Sequence, residues 1–231
     1  MNLAPQTSQL IIENDLEIVG RLVDASNATL LAQVTPELKV IYKPIAGERP
    51  LWDFPEGSLA GREVAAYYIS ELGKFGLVPF TTMRDGPYGV GAVQIWIDTD
   101  EELDVVELAQ QELPPLRSMA LFDAIINNTD RKFGHILFVD QERIYGVDHG
   151  VSFHVEDKLR TVLWQWSNTP LTTDEISQLH EILENLDEGY LETLISPAEI
   201  SALRFRIARL LENGVFPEPS SDWPAVPWPP Y

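Results

Sequence analysis

The sequence contains no cysteine among its 231 residues. This absence excludes disulfide bonds, zinc sites built on thiolates and lipid anchors attached through cysteine. No apolar run approaches the roughly 20 residues that are needed to span a bilayer. The first residues also lack the basic and apolar regions of a secretory signal. We therefore expect a globular protein with a cytoplasmic location.

Basic residues are scarce as well. The chain has 16 lysines and arginines against 36 aspartates and glutamates, which gives a net charge of −20. The excess is uneven, because residues 98–231 carry 25 acidic and only 9 basic side chains. Such a surface repels nucleic acid and anionic membrane headgroups. The charge therefore predicts no nucleic-acid partner and argues against stable membrane association.

The hydrophobic pattern predicts two lobes followed by a tail. Residues 1–97 contain short β-type runs around one helix, and helical periodicity dominates from residue 98 onward. We expect an α+β fold with a small antiparallel β-sheet lobe in residues 1–97 and a mainly helical lobe in residues 98–215. The proline- and tryptophan-rich tail, residues 216–231, is either a strap docked by its tryptophans or a disordered end. Expected strands are 17–23, 29–34, 39–43, 78–83, 90–97, 136–139 and 143–147; expected helices are 60–74, 101–112, 115–127, 173–186 and 197–213.

Two aspartates on tight turns carry the strongest chemical signal. Asp130 lies in a polar turn after a helical run, and Asp148 begins the turn Asp148-His149-Gly150 after two short strands. Phosphoryl transfer from ATP needs one carboxylate to orient or deprotonate the acceptor and another to hold magnesium. The spacing matches a kinase catalytic loop and metal-binding loop. Lys132 stands where protein kinases place a lysine that contacts the transferred phosphate.

A lysine and a glutamate in the first half complete this pattern. Lys43 ends the third expected strand, and Glu63 lies on an early turn of the next helix. In kinases such a lysine grips the α- and β-phosphates and is oriented by such a glutamate. Ile41 shares a strand face with Lys43 and would pack against adenine. The expected hinge, which would offer backbone groups to adenine, is the strand that contains Gln94 and Trp96.

The glycine-rich phosphate loop of protein kinases is missing. Its place between the first two strands is taken by residues 24–29, which contain Ser26 and Asn27. These two side chains and the backbone amides around them could cap phosphates, although fewer glycines mean a less close backbone approach.

Four segments of the chain resemble the phosphatidylinositol 3-/4-kinase superfamily, and most of all the type II phosphatidylinositol 4-kinases. The pair Asn128 and Asp130 also resembles the HipA-like bacterial kinases, and the chain is similar to a compact bacterial family described as phosphatidylinositol-kinase-like. The resemblance implies a bilobal protein-kinase-like fold, with Lys43 as the phosphate-binding lysine, Asp130 as the catalytic aspartate and Asp148 as a metal ligand. The resembling segments are residues 40–50, 62–68 with 76–79, 123–131 and 146–153.

This sequence departs from the family at two points. His135 stands where the family has asparagine. The imidazole either binds a softer ion such as manganese, leaves the metal to an oxygen of Asn127 or Asn128, or hydrogen-bonds Asp130. Type II lipid kinases also attach to membranes through acylated cysteines and basic surface, which this chain lacks, so a soluble acceptor is favoured over a lipid.

Three functions follow as hypotheses. The leading one is an ATP- and divalent-metal-dependent kinase, using Mg²⁺ or Mn²⁺, that acts on a protein hydroxyl or a small metabolite. The second is a nucleotide-binding pseudokinase that serves as an interaction module, and the third is transfer of AMP. Trp164 and Trp166 either shape the acceptor site or pack in the core.

Overall fold

The computed structural model describes residues 5–22, 27–100 and 102–231. The helices are α1 Pro5–Glu13, α2 Leu59–Leu72, α3 Val105–Ala109, α4 Pro114–Ile126, α5 Thr173–Asn185, α6 Glu188–Leu191 and α7 Pro197–Asn213. The strands are β1 Glu17–Arg21, β2 Leu30–Thr35, β3 Leu38–Pro44, β4 Thr81–Gly86, β5 Gly89–Ile95, β6 Ile136–Phe138 and β7 Ile144–Gly146. The expected α+β class, with a small antiparallel sheet and a mainly helical second part, is confirmed.

The five-stranded sheet separates the core of the first part from the cleft. Its strand order is β1-β2-β3-β5-β4 and its pairs are antiparallel. Val40 and Tyr42 of β3 are buried on one face, where Ile11 of α1 joins the same apolar cluster. Because side chains alternate along a strand, Ile41 and Lys43 lie on the other face. The alternation thus leaves the lysine available to the second part of the molecule.

The N-terminus of helix α2 is capped by a side chain from the preceding loop. Ser58 stands at the N-cap position, but its hydroxyl donates to the carbonyl of Pro55 instead of capping the helix. The carboxylate of Glu48 accepts hydrogen bonds from the first two backbone amides, at 3.1 and 2.8 Å. An anion is favourable there because the N-terminus of a helix carries partial positive charge.

The second part is built around α4 and α7. Helix α4 is buried along most of its length, and its apolar side chains form one cluster with those of α2, α5 and α7. Arg62 of α2 joins the two parts of the molecule, since it is buried, contacts Glu199 of α7 and donates to the carbonyl of Ser152 at 3.0 Å. This buried arginine anchors α2 against the loop that follows Asp148.

Several sequence-based boundaries need correction. The helix expected at 101–112 is shorter and corresponds to α3. The Asp104 side chain accepts hydrogen bonds from the amides of Val106 and Glu107, so the helix begins after Asp104. The hairpin expected as 78–83 with 90–97 is β4 with β5, and its strands meet at the turn around Pro87. Helices α1 and α6 were not anticipated.

The tail forms a strap, which was one of the two expected alternatives. The carbonyl of Ala225 accepts hydrogen bonds from the Thr161 amide and the Trp164 indole, at 3.0 and 2.9 Å. The Phe133 amide donates to the carbonyl of Pro230 at 2.9 Å. Trp228, however, is 86% exposed. Of the two tail tryptophans, Trp223 is therefore the one that docks against the protein, near Lys158.

Candidate active site

Lys43 lies at the centre of the cleft between two carboxylates. Its Nζ contacts Glu63 Oε1 and lies 2.9 Å from Asp148 Oδ1. Burial alone would lower the pKa of Lys43, but the charges of Asp148 and Glu63 raise it above the ordinary value. The charge of Lys43 in turn lowers the pKa of Asp148, against the opposing effect of burial. Lys43 and Asp148 are therefore both ionised at neutral pH.

Glu63 connects the lysine to the turn that contains Asp148. Its second carboxylate oxygen accepts a hydrogen bond from the backbone amide of His149 at 3.0 Å. The preceding residue, Asp148, has a φ of 61°, in the left-handed region that few residues other than glycine adopt. One glutamate on α2 thus fixes both the lysine and the backbone beside Asp148.

Asp130 faces the cleft from a turn that follows α4. The helix ends at Asn127, whose φ of 53° and ψ of 54° turn the chain out of the helix. Asn128 Oδ1 accepts a hydrogen bond from the Asp130 amide at 3.0 Å, and Lys132 Nζ lies 3.3 Å from Asp130 Oδ2. Burial raises the pKa of Asp130, partly offset by the charge of Lys132. A raised pKa favours uptake of a proton by this carboxylate.

The structure gives Asn128 a positioning task instead of the metal contact expected from the sequence. Its side chain is fully buried, with the amide nitrogen donating to Asp123 Oδ1 at 3.0 Å and the oxygen engaged by the Asp130 amide. Both ends are therefore occupied, and we leave Asn128 out of the proposed metal ligands. Asn127 is likewise turned away, since its oxygen accepts from the Lys158 amide at 2.9 Å.

His135 lies between the two aspartates. Its Nδ1 is 2.8 Å from the backbone carbonyl of Asp130, and its Nε2 is 3.4 Å from Asp148 Oδ2. Burial lowers the pKa of His135, although Asp148 opposes this effect, so the ring is neutral at pH 7. Because a carbonyl can only accept a hydrogen bond, Nδ1 carries the proton. The lone pair of Nε2 is then free and points to the same region as Asp148.

Arg131 ties the two aspartate-bearing turns together, a role that sequence reasoning missed. It is completely buried and forms a salt bridge with Asp123 at 2.9 Å. Its guanidinium also donates to the carbonyls of His135 and Val147, at 3.0 and 3.1 Å, and to Nε2 of His149 at 2.7 Å. An acid inside the apolar run of α4, Asp123, was the available sign of a buried arginine partner.

Two cavities meet at the charged cluster. The first, of about 490 Å³, runs along the sheet and contains the three expected adenine-side residues, Ile41, Gln94 and Trp96. The second, of about 540 Å³, lies on the side of the loop before α2 and includes Asn27 and Glu63. Residues that line both are Thr29, Lys43, Asp130, Lys132 and Asp148.

The expected nucleotide contacts are only partly available. The side-chain amide of Gln94 donates a hydrogen bond to the Thr81 hydroxyl at 2.8 Å, and the backbone amide of Trp96 donates to the Lys39 carbonyl at 3.0 Å. Of the backbone groups expected to bind adenine, the Trp96 amide is therefore already engaged by the sheet. Asn27 accepts from the Arg49 amide at 2.8 Å in the second cavity, while Ser26 lies outside the described residues.

A divalent cation could be held by two protein ligands in this cleft. No group of three or more histidine or acidic side chains with metal-binding geometry occurs among the described residues. The free Nε2 of His135 and the ionised Asp148 nevertheless face one point. Cations that act on nucleotides commonly take one or two protein ligands and complete their shell with phosphate oxygens and water. The donor set fits such a cation.

Trp164 and Trp166, which follow the turn that contains Asp148, lie in different surroundings. Trp166 is buried in the main apolar core, as the packing alternative expected. Trp164 is partly buried and donates its indole N–H to Ala225 of the tail.

In the described part of the chain, no helix has the length and apolar character that crossing a bilayer demands.

Comparisons with known proteins identify a relative of this chain and structures with a similar fold. No protein-family profile matches the chain. "Protein Rv2133c" of Mycobacterium tuberculosis (strain ATCC 25618 / H37Rv) is 38% identical over 270 residues, covering 99% of this chain and 97% of the relative. This chain belongs to the family of that mycobacterial protein.

Solved structures of a kinase share the fold of this family member. The Golgi casein kinase with Mn/ADP bound superimposes with a TM-score of 0.61, over 90% of this chain and 74% of the kinase chain, at 12% identity. A second structure of the Golgi casein kinase gives a TM-score of 0.56 over 90% and 75% of the two chains, at 13% identity. The fold is therefore kinase-like, as the resemblance implied.

Proposed function

We propose that this protein is an ATP- and divalent-metal-dependent phosphotransferase of the phosphatidylinositol 3-/4-kinase-like type, acting on a soluble acceptor. The observation that carries the proposal is the contact of Lys43 with both Glu63 and Asp148, in a cleft that Asp130 also lines. An ammonium group beside one carboxylate for a metal and one for an acceptor is the set that phosphoryl transfer requires.

Each charged group has a task in this proposal. Glu63 orients Lys43, which binds the phosphates of ATP, and Lys132 neutralises charge on the transferred group. Asp148 and the free nitrogen of His135 would hold Mg²⁺ or Mn²⁺, and that cation would shield the phosphate oxygens. Asp130 positions the acceptor hydroxyl. The acceptor oxygen forms a bond to the γ-phosphorus, the bond from that phosphorus to ADP breaks, and the hydroxyl proton passes to Asp130.

The structural neighbour supports the nucleotide and the metal. The Golgi casein kinase that shares this fold was solved with Mn/ADP bound. By analogy, the sheet-side cavity with Ile41 takes the adenine end of ATP, and the charged cluster takes the phosphates. We further propose that residues 1–97 act as the nucleotide-binding lobe, residues 98–215 as the catalytic lobe and residues 216–231 as a separate tail.

Nucleotide binding is tested by a matched pair of lysine variants on β3. ADP with Mn²⁺ is titrated into wild type, Lys43→Ala and Lys39→Ala, and the dissociation constant is measured by calorimetry. Lys39 is an exposed lysine on the same strand, so its removal controls for charge and strand stability. We expect Lys43→Ala to weaken binding about tenfold to a hundredfold, since it removes charge-assisted hydrogen bonds. Equal affinities in the three proteins would contradict the proposal.

Phosphoryl transfer is tested by single-turnover reactions with ATP labelled at either the γ- or the α-phosphate. Asp130→Asn should lower the transfer rate about 10²- to 10⁴-fold while ADP affinity is preserved. Transfer of the γ-label identifies a kinase, and transfer of the α-label identifies an AMP transferase. Tight nucleotide binding without transfer of either label would identify the pseudokinase.

A further inference from the structure

We infer that the second cavity is the acceptor site and that it selects small hydroxyl compounds which carry an anionic group, phosphate or carboxylate. This inference rests on the proposed function. The cavity of about 540 Å³ meets the sheet-side cavity at Asp130 and Lys132 and extends from there away from Ile41 and Trp96. Its size is in the range of ordinary small-molecule sites.

The positive charges that line this cavity divide into two groups. Three of the five are neutralised by the protein itself: Lys43 by Glu63 and Asp148, Lys132 by Asp130, and Lys158 by Asp53 and Glu156. The side chains of Arg49 and Arg160 form no ion pair or hydrogen bond with any residue that the structure describes. Two uncompensated guanidinium groups in one cavity are notable in a chain with 36 acidic residues. They favour an anionic ligand.

Arg160 is placed rigidly beside the reacting groups. Its backbone amide donates to the Asn128 carbonyl at 3.0 Å, and its carbonyl accepts from the Arg131 amide at 3.1 Å. Two residues lie between these partners on the catalytic segment, Thr129 and Asp130. The Nε of Arg160 is buried without a hydrogen-bond partner in the described residues. The side chain of Arg160 lines the cavity and its charge is not neutralised by a described residue, so an anionic ligand in the cavity would meet an available cation.

Aromatic walls define the remaining shape of the cavity. Lys158 is buried between Trp52 and Trp223, with its Nζ 4.9 and 4.5 Å from the two ring centroids. Trp52 belongs to the loop before α2 and is 82% exposed, and Trp223 belongs to the tail. Because Lys158 is already neutralised, it serves to hold the two indoles. Arg160, and Arg49 on the opposite loop, remain as the groups that recognise the ligand.

Matched compounds with and without an anionic group test the inference. ADP release is measured with glycerol against glycerol 3-phosphate, glucose against glucose 6-phosphate, and glycerol against glycerate, which separates phosphate from carboxylate. We expect kcat/KM to be at least about tenfold higher for the charged member of one pair, because a charge-assisted hydrogen bond is made only with that member. In Arg160→Gln this ratio should fall to near one, mainly through KM.

Two control variants separate recognition from folding. Arg204→Gln removes the same charge from an exposed site on α7 and should keep the wild-type ratio. Trp223→Ala should raise the KM of the charged compound, whereas Trp228→Ala changes a neighbouring exposed tryptophan and should leave it unchanged. Thermal unfolding of every variant is measured alongside, and Arg160→Lys serves as the folded substitute if Arg160→Gln does not fold.

The outcomes distinguish this inference from the proposed function. If ADP binds and the γ-phosphate is transferred, but only uncharged compounds or protein hydroxyls accept it, the acceptor inference is overturned and the kinase proposal stands. If Arg160→Gln loses ADP affinity in the calorimetric titration, Arg160 belongs to the nucleotide site and the inference fails. If no nucleotide binds to wild type, the proposed function itself fails.

Discussion

Asp130 is held in place by hydrogen bonds that two neighbouring side chains, Asn128 and His135, form with its backbone. The side chain of Asn128 accepts a hydrogen bond from the Asp130 amide, and His135 donates one to the Asp130 carbonyl. The side chain of Asp130 contacts Lys132 and faces the cleft. A carboxylate with a fixed backbone loses little freedom when an acceptor binds, which favours catalysis by positioning. The same hydrogen bond from His135 determines that its other nitrogen faces Asp148. A single proton position thus decides whether this histidine can bind a metal.

The metal role proposed for His135 leads to a prediction about cation preference. His135→Asn replaces a nitrogen ligand by an oxygen ligand, and Mg²⁺ accepts nitrogen less readily than Mn²⁺ does. We expect the affinity for Mn²⁺ relative to Mg²⁺, measured by titrating each cation into the ADP-saturated protein, to fall on the order of tenfold. Asp148→Asn is the companion variant and should weaken both cations. An unchanged ratio in His135→Asn would place the histidine outside the metal site.

Among the elements, α5 is joined to α4 by a carboxylate with two tasks. Glu175 completes the capping box with Thr172 at the start of α5. The same carboxylate accepts hydrogen bonds from Arg117 of α4 at 2.7 and 2.9 Å. Burial would raise the pKa of Glu175, but the hydrogen bonds from Arg117 and Thr172 lower it below its ordinary value. The ionised form therefore stabilises the packing of the two helices.

This carboxylate gives a prediction about stability and pH. Glu175→Gln should lower the free energy of unfolding at pH 7 by about 2 kcal/mol, because a neutral amide cannot replace the charge-assisted hydrogen bonds with Arg117. Because the pKa is lower in the folded protein, the stabilisation is present above the ordinary value of 4.5 and is lost as the pH falls below it. The difference in free energy of unfolding between Glu175→Gln and wild type, measured by urea unfolding, should be large at pH 7 and small at pH 3.5.

A control on the same helix makes this measurement specific. Glu181 is an exposed residue of α5 that pairs with Lys74 at 3.2 Å. Glu181→Gln should change the free energy of unfolding at pH 7 by less than about 0.5 kcal/mol, as exposed ion pairs do. If both variants lose the same stability, the contribution of Glu175 comes from general charge and not from its buried contacts.

Across the whole molecule, the tail connects the end of the chain to the catalytic region. Its carbonyls at Ala225 and Pro230 accept hydrogen bonds from Thr161, Trp164 and Phe133. Phe133 lies three residues after Asp130, and Thr161 follows Arg160 directly. The strap therefore supports the loops that carry the proposed catalytic and acceptor-binding residues, although it is far from them in sequence.

Removal of the strap should affect stability and acceptor use together. A protein that ends at Phe216, which is part of the core, loses these three hydrogen bonds and should lose about 2–4 kcal/mol of stability. The melting temperature measured by circular dichroism should fall by about 5–10 °C. ADP affinity should change less than acceptor KM, because the nucleotide cavity has no tail residue in its lining. A melting temperature equal to that of wild type would contradict a supporting role.

Much of the site could be predicted because its signals are local. Alternation along β3 places Ile41 and Lys43 on one face, and turns after an apolar helix and after a short hairpin present Asp130 and Asp148. Glu63 follows from its place on the helix after β3. The predicted hinge contacts were partly wrong, since the Trp96 amide is taken by Lys39 of the neighbouring strand. Strand pairing of this kind depends on partners that local sequence does not identify.

The sequence alone determined the acidic balance, which is a matter of composition, and it predicted the main strands and helices apart from α1 and α6 and the residue types at the two turns, which depend on neighbours a few positions away. Long-range packing determined which of those residues work together. The burial of Asn128 and Arg131, the proton position on His135 and the placement of Arg160 beside Asp130 all arise from contacts between distant segments. Hydrogen bonds and burial at such contacts depend on three-dimensional proximity, which no local pattern of residues contains.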